Sequence, residues 1–336
     1  MGNRGAAWID QIRKRSARSA MPIMSYPGLV FAGGTVRDVV TRADAQVACI
    51  RALNETYPTI AVLAPMDLSV EAEAFGCRVA FHDDDIPTVT APCIQSPADQ
   101  SQLAVPEIGA ARTGVYLDAA ERLAKHFCDR PVFAGMIGPF SLAVRLRNMT
   151  EIMLDLMLEP DCVANLLERC TAFQIQYARA FKACGAGGVI MAEPAAGLLA
   201  PQQCEAFSSR FIAGIVDAVQ DESFLVILHN CGQVTQSIAS MVGTGVRCIH
   251  VGNAVNMLDI LPQVPENVLV CGNIDPAGAF RNGTADHVYS TTTDLLNRTR
   301  EYPNFVLSSG CDIPPGTPIE NINAFYRALL DFDDTP

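Results

Sequence analysis

Short apolar runs alternate with longer amphipathic segments along the second half of the chain, and this alternation constrains the fold more than any other feature. The apolar runs predict six strands, at residues 130–139, 187–194, 224–232, 246–253, 267–276 and 304–312. Regular alternation of strands with helices is typical of the repeated strand–helix units that build a parallel sheet. The pattern therefore predicts an α/β protein.

The remaining segments extend this pattern towards a closed barrel. A long helix is predicted over residues 160–184, which open with a proline and are followed by a glycine. Residues 59–67 and 78–85 predict two further strands, and eight strands close a barrel. We therefore expect a (β/α)8 TIM barrel as a single domain over residues 1–336, with an N-terminal helical segment of about residues 1–55 over one end.

Charge and cysteine distribution narrow the class of function. The formal net charge of −12 leaves no overall basic surface for a nucleic-acid backbone or an anionic membrane. The basic run at residues 13–19 is typical of a solvated helical arm, and the apolar stretch from Val132 is too short and interrupted to cross a bilayer. The 12 cysteines include no C-x-x-C pair, which fits a reducing compartment. We expect a cytoplasmic protein without nucleic-acid or membrane partners.

Chemically capable side chains fall at the carboxyl end of each predicted strand. They are Asp67, Glu193, His229 with Cys231, His250 with Asn253, Asn273 with Asp275, and Cys311 with Asp312. In a (β/α)8 barrel these ends converge on one mouth, where the active sites of that fold lie. The sequence therefore predicts that residues from six distant segments meet in one site.

Three of these side chains predict a metal centre. His229 and Cys231 are separated by one residue, so on a strand they point to the same face. Cys311 follows the last strand and would lie across the mouth from them. One imidazole and two thiolates favour zinc and leave a fourth position for water, a carboxylate or a substrate. The alternative is that both cysteines are core residues, as Cys49 and Cys271 are expected to be.

The other strand-end residues allow more than one role. Glu193 is either an exchangeable fourth ligand or a cap of the following helix. We take Glu193 and Asp67 as candidate catalytic residues, although Asp67 and Asp275 also suit loop or helix-start positions. Asn253, Asn273 and Asp275 are the candidate cofactor-binding residues. His250 and His82 are predicted not to be metal ligands.

Several motifs resemble the uroporphyrinogen decarboxylase superfamily from about Asp10 to Leu330. They are "LHNCG", "SSGCDIPPGTPIENINAF", "PMDLSVEAEAFGC", "AGMIGPFSLA", "MAEPAAG" and "CGNIDP". More narrowly, the chain looks like the corrinoid-dependent branch of methylcobamide:thiol methyltransferases, such as the methylcobamide:coenzyme M enzymes. The resemblance implies a (β/α)8 barrel and carries the zinc ligands of that branch onto His229, Cys231 and Cys311.

The chain departs from the decarboxylases at their N-terminal M-R-Q-A-G-R motif, whose cations hold the substrate carboxylates. The corresponding stretch here reads "MSYPGLVFAGG" and contains no arginine. A tetrapyrrole with many carboxylates would lack its anchors, so decarboxylation is disfavoured. Asp67 nevertheless stands near the position of the catalytic carboxylate of that branch.

The resemblance implies that Zn²⁺ activates a small acceptor, while the methyl group arrives on a methylcobamide. No D-x-H-x-x-G signature of a cobalamin-carrying domain is present, so a methylated corrinoid protein would act as a partner in trans. Coenzyme M, homocysteine and tetrahydrofolate all remain open as the small-molecule methyl acceptor. The alternative functions are a uroporphyrinogen decarboxylase-type decarboxylase and a non-catalytic barrel that binds a partner.

Overall fold

Residues 6–100 and 103–333 are described by a computed structural model of the chain. They contain nine strands, which in chain order are β1 (Val62–Leu63), β2 (Arg78–Ala80), β3 (Thr88–Ala91), β4 (Val132–Ile137), β5 (Gly188–Ala192), β6 (Leu225–Asn230), β7 (Cys248–Val251), β8 (Leu269–Ile274) and β9 (Phe305–Ser309). Seven of them form one parallel sheet in the order β1, β4, β5, β6, β7, β8, β9. The predicted α/β class and its parallel sheet are confirmed.

Helices follow most strands and cover the outer face of the sheet. The α-helices are Ala6–Arg13, Leu29–Ala32, Val36–Thr41, Ala43–Thr56, Val70–Ala74, Pro97–Gln100, Thr113–His126, Pro139–Arg147, Met149–Leu158, Pro160–Ala183, Pro201–Cys204, Arg210–Val219, Ile238–Gly243, Met257–Ile260, Ala285–Arg298 and Ile319–Asp333. Shorter 3₁₀ turns cover Tyr26–Gly28, Pro194–Leu198 and Leu261–Gln263, and π turns cover Glu205–Ser209 and Pro276–Arg281. In the part of the chain that the structure describes, no helix is both long and apolar enough to span a membrane.

The strands of the parallel sheet are largely apolar because both faces of the sheet are covered. Every residue of β4 and β6 is buried. Residues on the inner face, among them Phe133, Ile190 and Ile227, pack in one cluster, while the alternate residues pack against the surrounding helices in another. Parallel sheets with helices on their faces have this continuous apolar character, which is why the six predicted strands were readable from the sequence.

The N-terminal part of the chain is largely helical, as predicted for about residues 1–55, although residues 1–5 lie outside the described residues. Its first helix, Ala6–Arg13, places Trp8 against the inner cluster, with the Trp8 and Phe133 ring centroids 5.6 Å apart. The indole nitrogen of Trp8 donates to the carbonyl of Ile60, just before β1. This helix therefore covers the amino ends of the strands and leaves their carboxyl ends open.

Residues 19–23 contact the outer strand β9 and the residue Ile60, which lies just before the other outer strand, β1. The amide of Leu307 donates to the carbonyl of Ser19 at 3.0 Å, and the amide of Met21 donates to the carbonyl of Leu307 at 2.9 Å. On the other side, the amide of Ile60 donates to the carbonyl of Ala20 at 3.1 Å. Residues 19–23 therefore link β9 to the chain just before β1.

The prediction that residues 78–85 add a strand to the sheet was wrong. Within this range, β2 pairs with β3 in an antiparallel hairpin that is separate from the parallel sheet. A strand of the parallel sheet is buried on both faces, whereas this segment carries the exposed polar residues Arg78, His82 and Asp83. The segment therefore suits a half-exposed hairpin, and the loop between β2 and β3 projects over the carboxyl end of the sheet.

A buried carboxyl group joins helix Val70–Ala74 to the end of β4. The amide of Ile137 donates to Oε1 of Glu71 at 3.0 Å, and the Glu71 side chain is enclosed. Burial raises the pKa of Glu71 to about 8. Between its usual pKa and this value, the folded protein keeps a proton that the unfolded chain releases, so the free energy of unfolding falls as pH rises.

We predict that Glu71→Gln stabilises the protein at pH 8 relative to pH 5, because glutamine keeps the acceptor for Ile137 and does not ionise. The difference in unfolding free energy between variant and parent should grow by roughly 3 kcal/mol across that interval. Urea denaturation of both proteins at the two pH values measures it, since other titrating groups are common to both. A constant difference would show that Glu71 ionises normally.

Candidate metal centre

The structure brings the three predicted metal ligands together at the carboxyl end of the sheet. His229 lies in β6, Cys231 follows that strand, and Cys311 follows β9. One ligand atom from each side chain lies within 4.8 Å of the others, and Cys311 Sγ is 3.5 Å from His229 Nε2. Among the described residues this is the group of His, Cys, Asp and Glu side chains able to hold a metal ion together.

The two thiols affect each other's protonation. A hydrogen bond with Cys311, and then one with His229, lowers the pKa of Cys231 well below its usual range. The same hydrogen bond, followed by burial, raises the pKa of Cys311. Two sulfur donors next to an imidazole suit zinc better than magnesium or calcium.

A cavity of about 310 Å³ borders these three side chains. Its wall is mainly apolar, with contributions from Met66, Leu68, Ile86, Val89, Ile313 and Pro314. The polar residues of the wall include Tyr26, Asp67, Arg145 and Asp312. Burial raises the pKa of Asp312 to about 6. The candidate metal ligands therefore border a largely apolar pocket with a few charged groups, which is the usual composition of a small-molecule site.

Asp67 lies in this wall, but its carboxylate is engaged by protein groups. Arg112 forms an ion pair with Asp67, and the Tyr116 hydroxyl donates to it at 3.0 Å. Arg112 also pairs with Glu73 at 2.6 Å. The amide of Ser69 donates to Asp67 at 3.0 Å. Asp67 is therefore held in place as a paired anion, and sequence reasoning missed Arg112 and Tyr116 because neither lies at a strand end.

Glu193 directly follows β5, and its carboxylate is bound by donors of the protein. Its Oε1 accepts from the amide of Phe140 at 2.8 Å and from the Ser208 hydroxyl at 3.0 Å, while Oε2 accepts from the amide of Ser141 at 2.9 Å. A β-carbon at Gly138 would collide with this carboxylate. Glu193 thus caps helix Pro139–Arg147, an earlier helix than the one proposed from sequence, and lies outside the metal-ligand group.

The three candidate cofactor-binding residues do not line the cavity within the described chain. The Asn273 amide donates to the carbonyls of Gly252 and Val255 and so braces the loop after β7. Asp275 accepts from two amides at the start of the Pro276–Arg281 turn. Both are occupied by local backbone groups, as strand-end Asn and Asp side chains often are. Asn253 is exposed beside them.

His250 and His82 lie outside the group formed by His229, Cys231 and Cys311. His82 lies exposed in the hairpin loop. His250 is fully buried in β7, where its Nδ1 lies 2.9 Å from Nδ1 of His229 and its Nε2 lies 2.8 Å from the Ser308 hydroxyl. Burial, and then the charge of His229, lowers the pKa of His250 well below its usual value. His250 therefore contacts the candidate ligand His229 at Nδ1, the ring nitrogen that does not face Cys311.

Solved structures share this architecture. A methyltransferase from Methanosarcina mazei superposes with a TM-score of 0.87 at 22% identity and covers 96% of this chain and 97% of its own. A B12-independent methionine synthase from Shewanella superposes with a TM-score of 0.56 at 12% identity, over 95% of this chain and 96% of its own. At these identities the likeness establishes the fold.

The uroporphyrinogen decarboxylase (URO-D) family model matches residues 16–332, and the chain belongs to that family. Curated relatives include the methylcobamide:CoM methyltransferase MtbA of Methanosarcina mazei, 32% identical over 81% of this chain and 80% of the relative. A uroporphyrinogen decarboxylase from Synechococcus is 29% identical over 62% of this chain and 60% of the relative. The family recognised from the sequence motifs, and its likeness to the methylcobamide branch, are confirmed.

We predict that the purified protein carries about one zinc ion per chain, and that Cys231→Ala or Cys311→Ala removes most of it. Two remaining protein ligands compete poorly with buffer thiols. Elemental analysis after gel filtration measures the zinc. Cys128→Ala, which changes an exposed cysteine outside the group, is the matched control and should retain the metal. Full zinc in both ligand variants would contradict the assignment.

Proposed function

We propose that the protein is a zinc-dependent methyltransferase that moves a methyl group from a methylated corrinoid protein to a small thiol. The observation that carries this proposal is the convergence of His229, Cys231 and Cys311 at the wall of a mainly apolar cavity. The names of the relatives, which include methylcobamide:CoM methyltransferases, support it. We also propose that residues 19–23 close the parallel sheet into a single-domain (β/α)8 barrel.

The three side chains fit a zinc ion because each presents a nitrogen or sulfur donor to the same point. When bound there, zinc lowers the pKa of a coordinated thiol and so supplies a thiolate at neutral pH. In the transfer, a bond forms between sulfur and the methyl carbon, while the electron pair of the broken cobalt–carbon bond stays on the corrinoid. The proton of the thiol is released.

The cavity wall suits an acceptor with a negatively charged tail. Arg145 is the one lysine or arginine among the cavity-lining residues of the described chain, and its exposed guanidinium forms no ion pair with other described residues. The remaining arginine next to the cavity, Arg112, is paired with Asp67 and Glu73. Coenzyme M is a short thiol with a sulfonate, so it is our preferred acceptor, ahead of homocysteine and tetrahydrofolate.

The surroundings of the cavity suit a protein partner that brings the corrinoid. An adjoining cleft of about 450 Å³ shares Leu68, Val89 and Arg145 with the cavity wall. Two apolar side chains at these openings are exposed, Ile86 at 48% and Leu198 at 64%. Exposed apolar groups around a cavity favour contact with another macromolecule. We place the docking face of the corrinoid protein here, and we keep Asn253, which is exposed after β7, as a candidate contact.

We predict that the protein demethylates its cognate methylated corrinoid protein, and free methylcobalamin more slowly, when coenzyme M is supplied. The absorption spectrum of the corrinoid changes when the methyl group leaves, so separate reactions with coenzyme M, homocysteine and tetrahydrofolate identify the acceptor. Removing zinc with a chelator should abolish the change, and adding zinc should restore it.

The same material distinguishes the alternative functions. Conversion of uroporphyrinogen to coproporphyrinogen, without methyl transfer to any acceptor, would place the protein with the decarboxylases. Asp67 favours that alternative by its position in the cavity wall, whereas its ion pair with Arg112 disfavours it. Binding of the corrinoid protein without turnover in either assay would support a non-catalytic barrel.

We predict that Arg145→Gln raises the KM for coenzyme M by about tenfold or more, because a charge-assisted contact with the sulfonate is lost. The matched substrate is 2-mercaptoethanol, which has the same carbon chain with a neutral hydroxyl, and its KM should change little. Arg78→Gln, an exposed arginine of β2 outside the cavity, controls for net charge. Equal changes for both thiols would exclude recognition of the anion by Arg145.

A further inference from the structure

Two buried imidazoles share a single proton beside the candidate metal centre. His229 in β6 and His250 in β7 are direct partners in the parallel register, and both side chains point inward. Their Nδ1 atoms are 2.9 Å apart. Two ring nitrogens at this distance need one proton between them, so one imidazole donates and the other accepts.

The direction of that hydrogen bond is set on the far side of His250. The Ser308 hydroxyl lies 2.7 Å from the carbonyl oxygen of Met21 and 2.8 Å from Nε2 of His250. A carbonyl oxygen only accepts, so the one hydroxyl proton of Ser308 must point to Met21. The Ser308 oxygen is then the acceptor for His250, whose Nε2 carries the hydrogen.

The tautomer of His250 in turn determines the tautomer of His229. With its hydrogen on Nε2, neutral His250 presents the lone pair of Nδ1, so His229 must donate from its own Nδ1. The carbonyl oxygen of His250, 3.3 Å from the same His229 atom, also only accepts and requires the same direction. The hydrogen of His229 is therefore on Nδ1, and its Nε2, the atom that faces Cys311, keeps its lone pair.

We infer that His250 and Ser308 are positioning residues that hold His229 in its metal-binding tautomer. The hydrogen bonds from His229 through His250 and Ser308 to the carbonyl of Met21 form a relay, and this carbonyl fixes its direction. The metal-binding part of this inference rests on the proposed function, whereas the tautomer of His229 does not. Groups behind a ligating histidine fix its ring orientation and tautomer, and their loss typically weakens metal binding by 10–100-fold.

The chain offers a matched pair of serines for the test. Ser308 and Ser309 are adjacent, fully buried and bonded to the same extended segment, Ser308 to Met21 and Ser309 to Ile23. Ser308 contacts His250, whereas Ser309 contacts only backbone groups of Ile23. We expect Ser308→Ala to weaken zinc binding 10–100-fold, measured by competition with a chromophoric chelator. Ser309→Ala should leave the affinity within about threefold of the parent, at a similar thermal midpoint.

Replacements of His250 separate the hydrogen bond from packing. The side-chain oxygen of asparagine in His250→Asn takes the place of Nδ1 and accepts from His229, so zinc affinity should be largely retained. His250→Leu fills the site without an acceptor and should weaken zinc binding as Ser308→Ala does. Equal affinities for the Asn and Leu variants, or for the two serine variants, would overturn the relay.

The tautomer itself is measured without any metal. Long-range ¹H–¹⁵N spectra of the zinc-free protein distinguish the two neutral forms of each ring, and we expect hydrogen on Nδ1 of His229 and on Nε2 of His250. Hydrogen on Nε2 of His229 would overturn the inference. If the spectra are as expected and the parent protein still fails to bind zinc, the relay stands and the proposed function fails.

Discussion

The alignment of β6 with β7 is the contact on which the rest of the site depends. This alignment sets His229 beside His250. The next pairing, of β7 with β8, sets His250 beside Cys271. Side chains alternate between the two faces of a strand, so a shift by one residue would turn His229 out of the cavity. The close-packed inner cluster, with Phe133 and Ile227, makes such a shift costly and so keeps the ligand in place.

The polar side chains around this framework differ in how much of their hydrogen-bonding capacity and charge is matched by other protein groups. Glu193 is surrounded by amide and hydroxyl donors, and Asp67 is matched by Arg112 and Tyr116. Such buried charges are stable where they are and have little capacity left for a ligand. The nitrogen and sulfur atoms of His229, Cys231 and Cys311 have that capacity, which concentrates the chemistry of the cavity at one point.

The sequence predicted the structure correctly where a short local pattern determines it. Fully buried strands carry continuous apolar runs, and the H-x-C spacing alone places His229 and Cys231 on one face. The sequence was uninformative where a distant contact determines the role of a residue. Glu193 caps a helix that begins more than 50 residues earlier, since Glu193 and Phe140 are 53 residues apart. Residues 19–23 lie along β9 with a single ladder contact, at Ala20, too short to be recognised as a strand. Arg112 and Arg145 lie in or next to helices, so no strand-end pattern marks them.

The attachment of residues 19–23 to β9 has a consequence for how the protein matures. Met21 and Ser308 are separated by 287 residues, so the contact between them forms only when these two distant segments have met. Contacts of such long range are usually late in folding, since closing the intervening loop costs entropy first. A chain still emerging from the ribosome presents His229 and Cys231 without the ordering of His229, so tight metal capture would follow only after Ser308 and Cys311 have been synthesised.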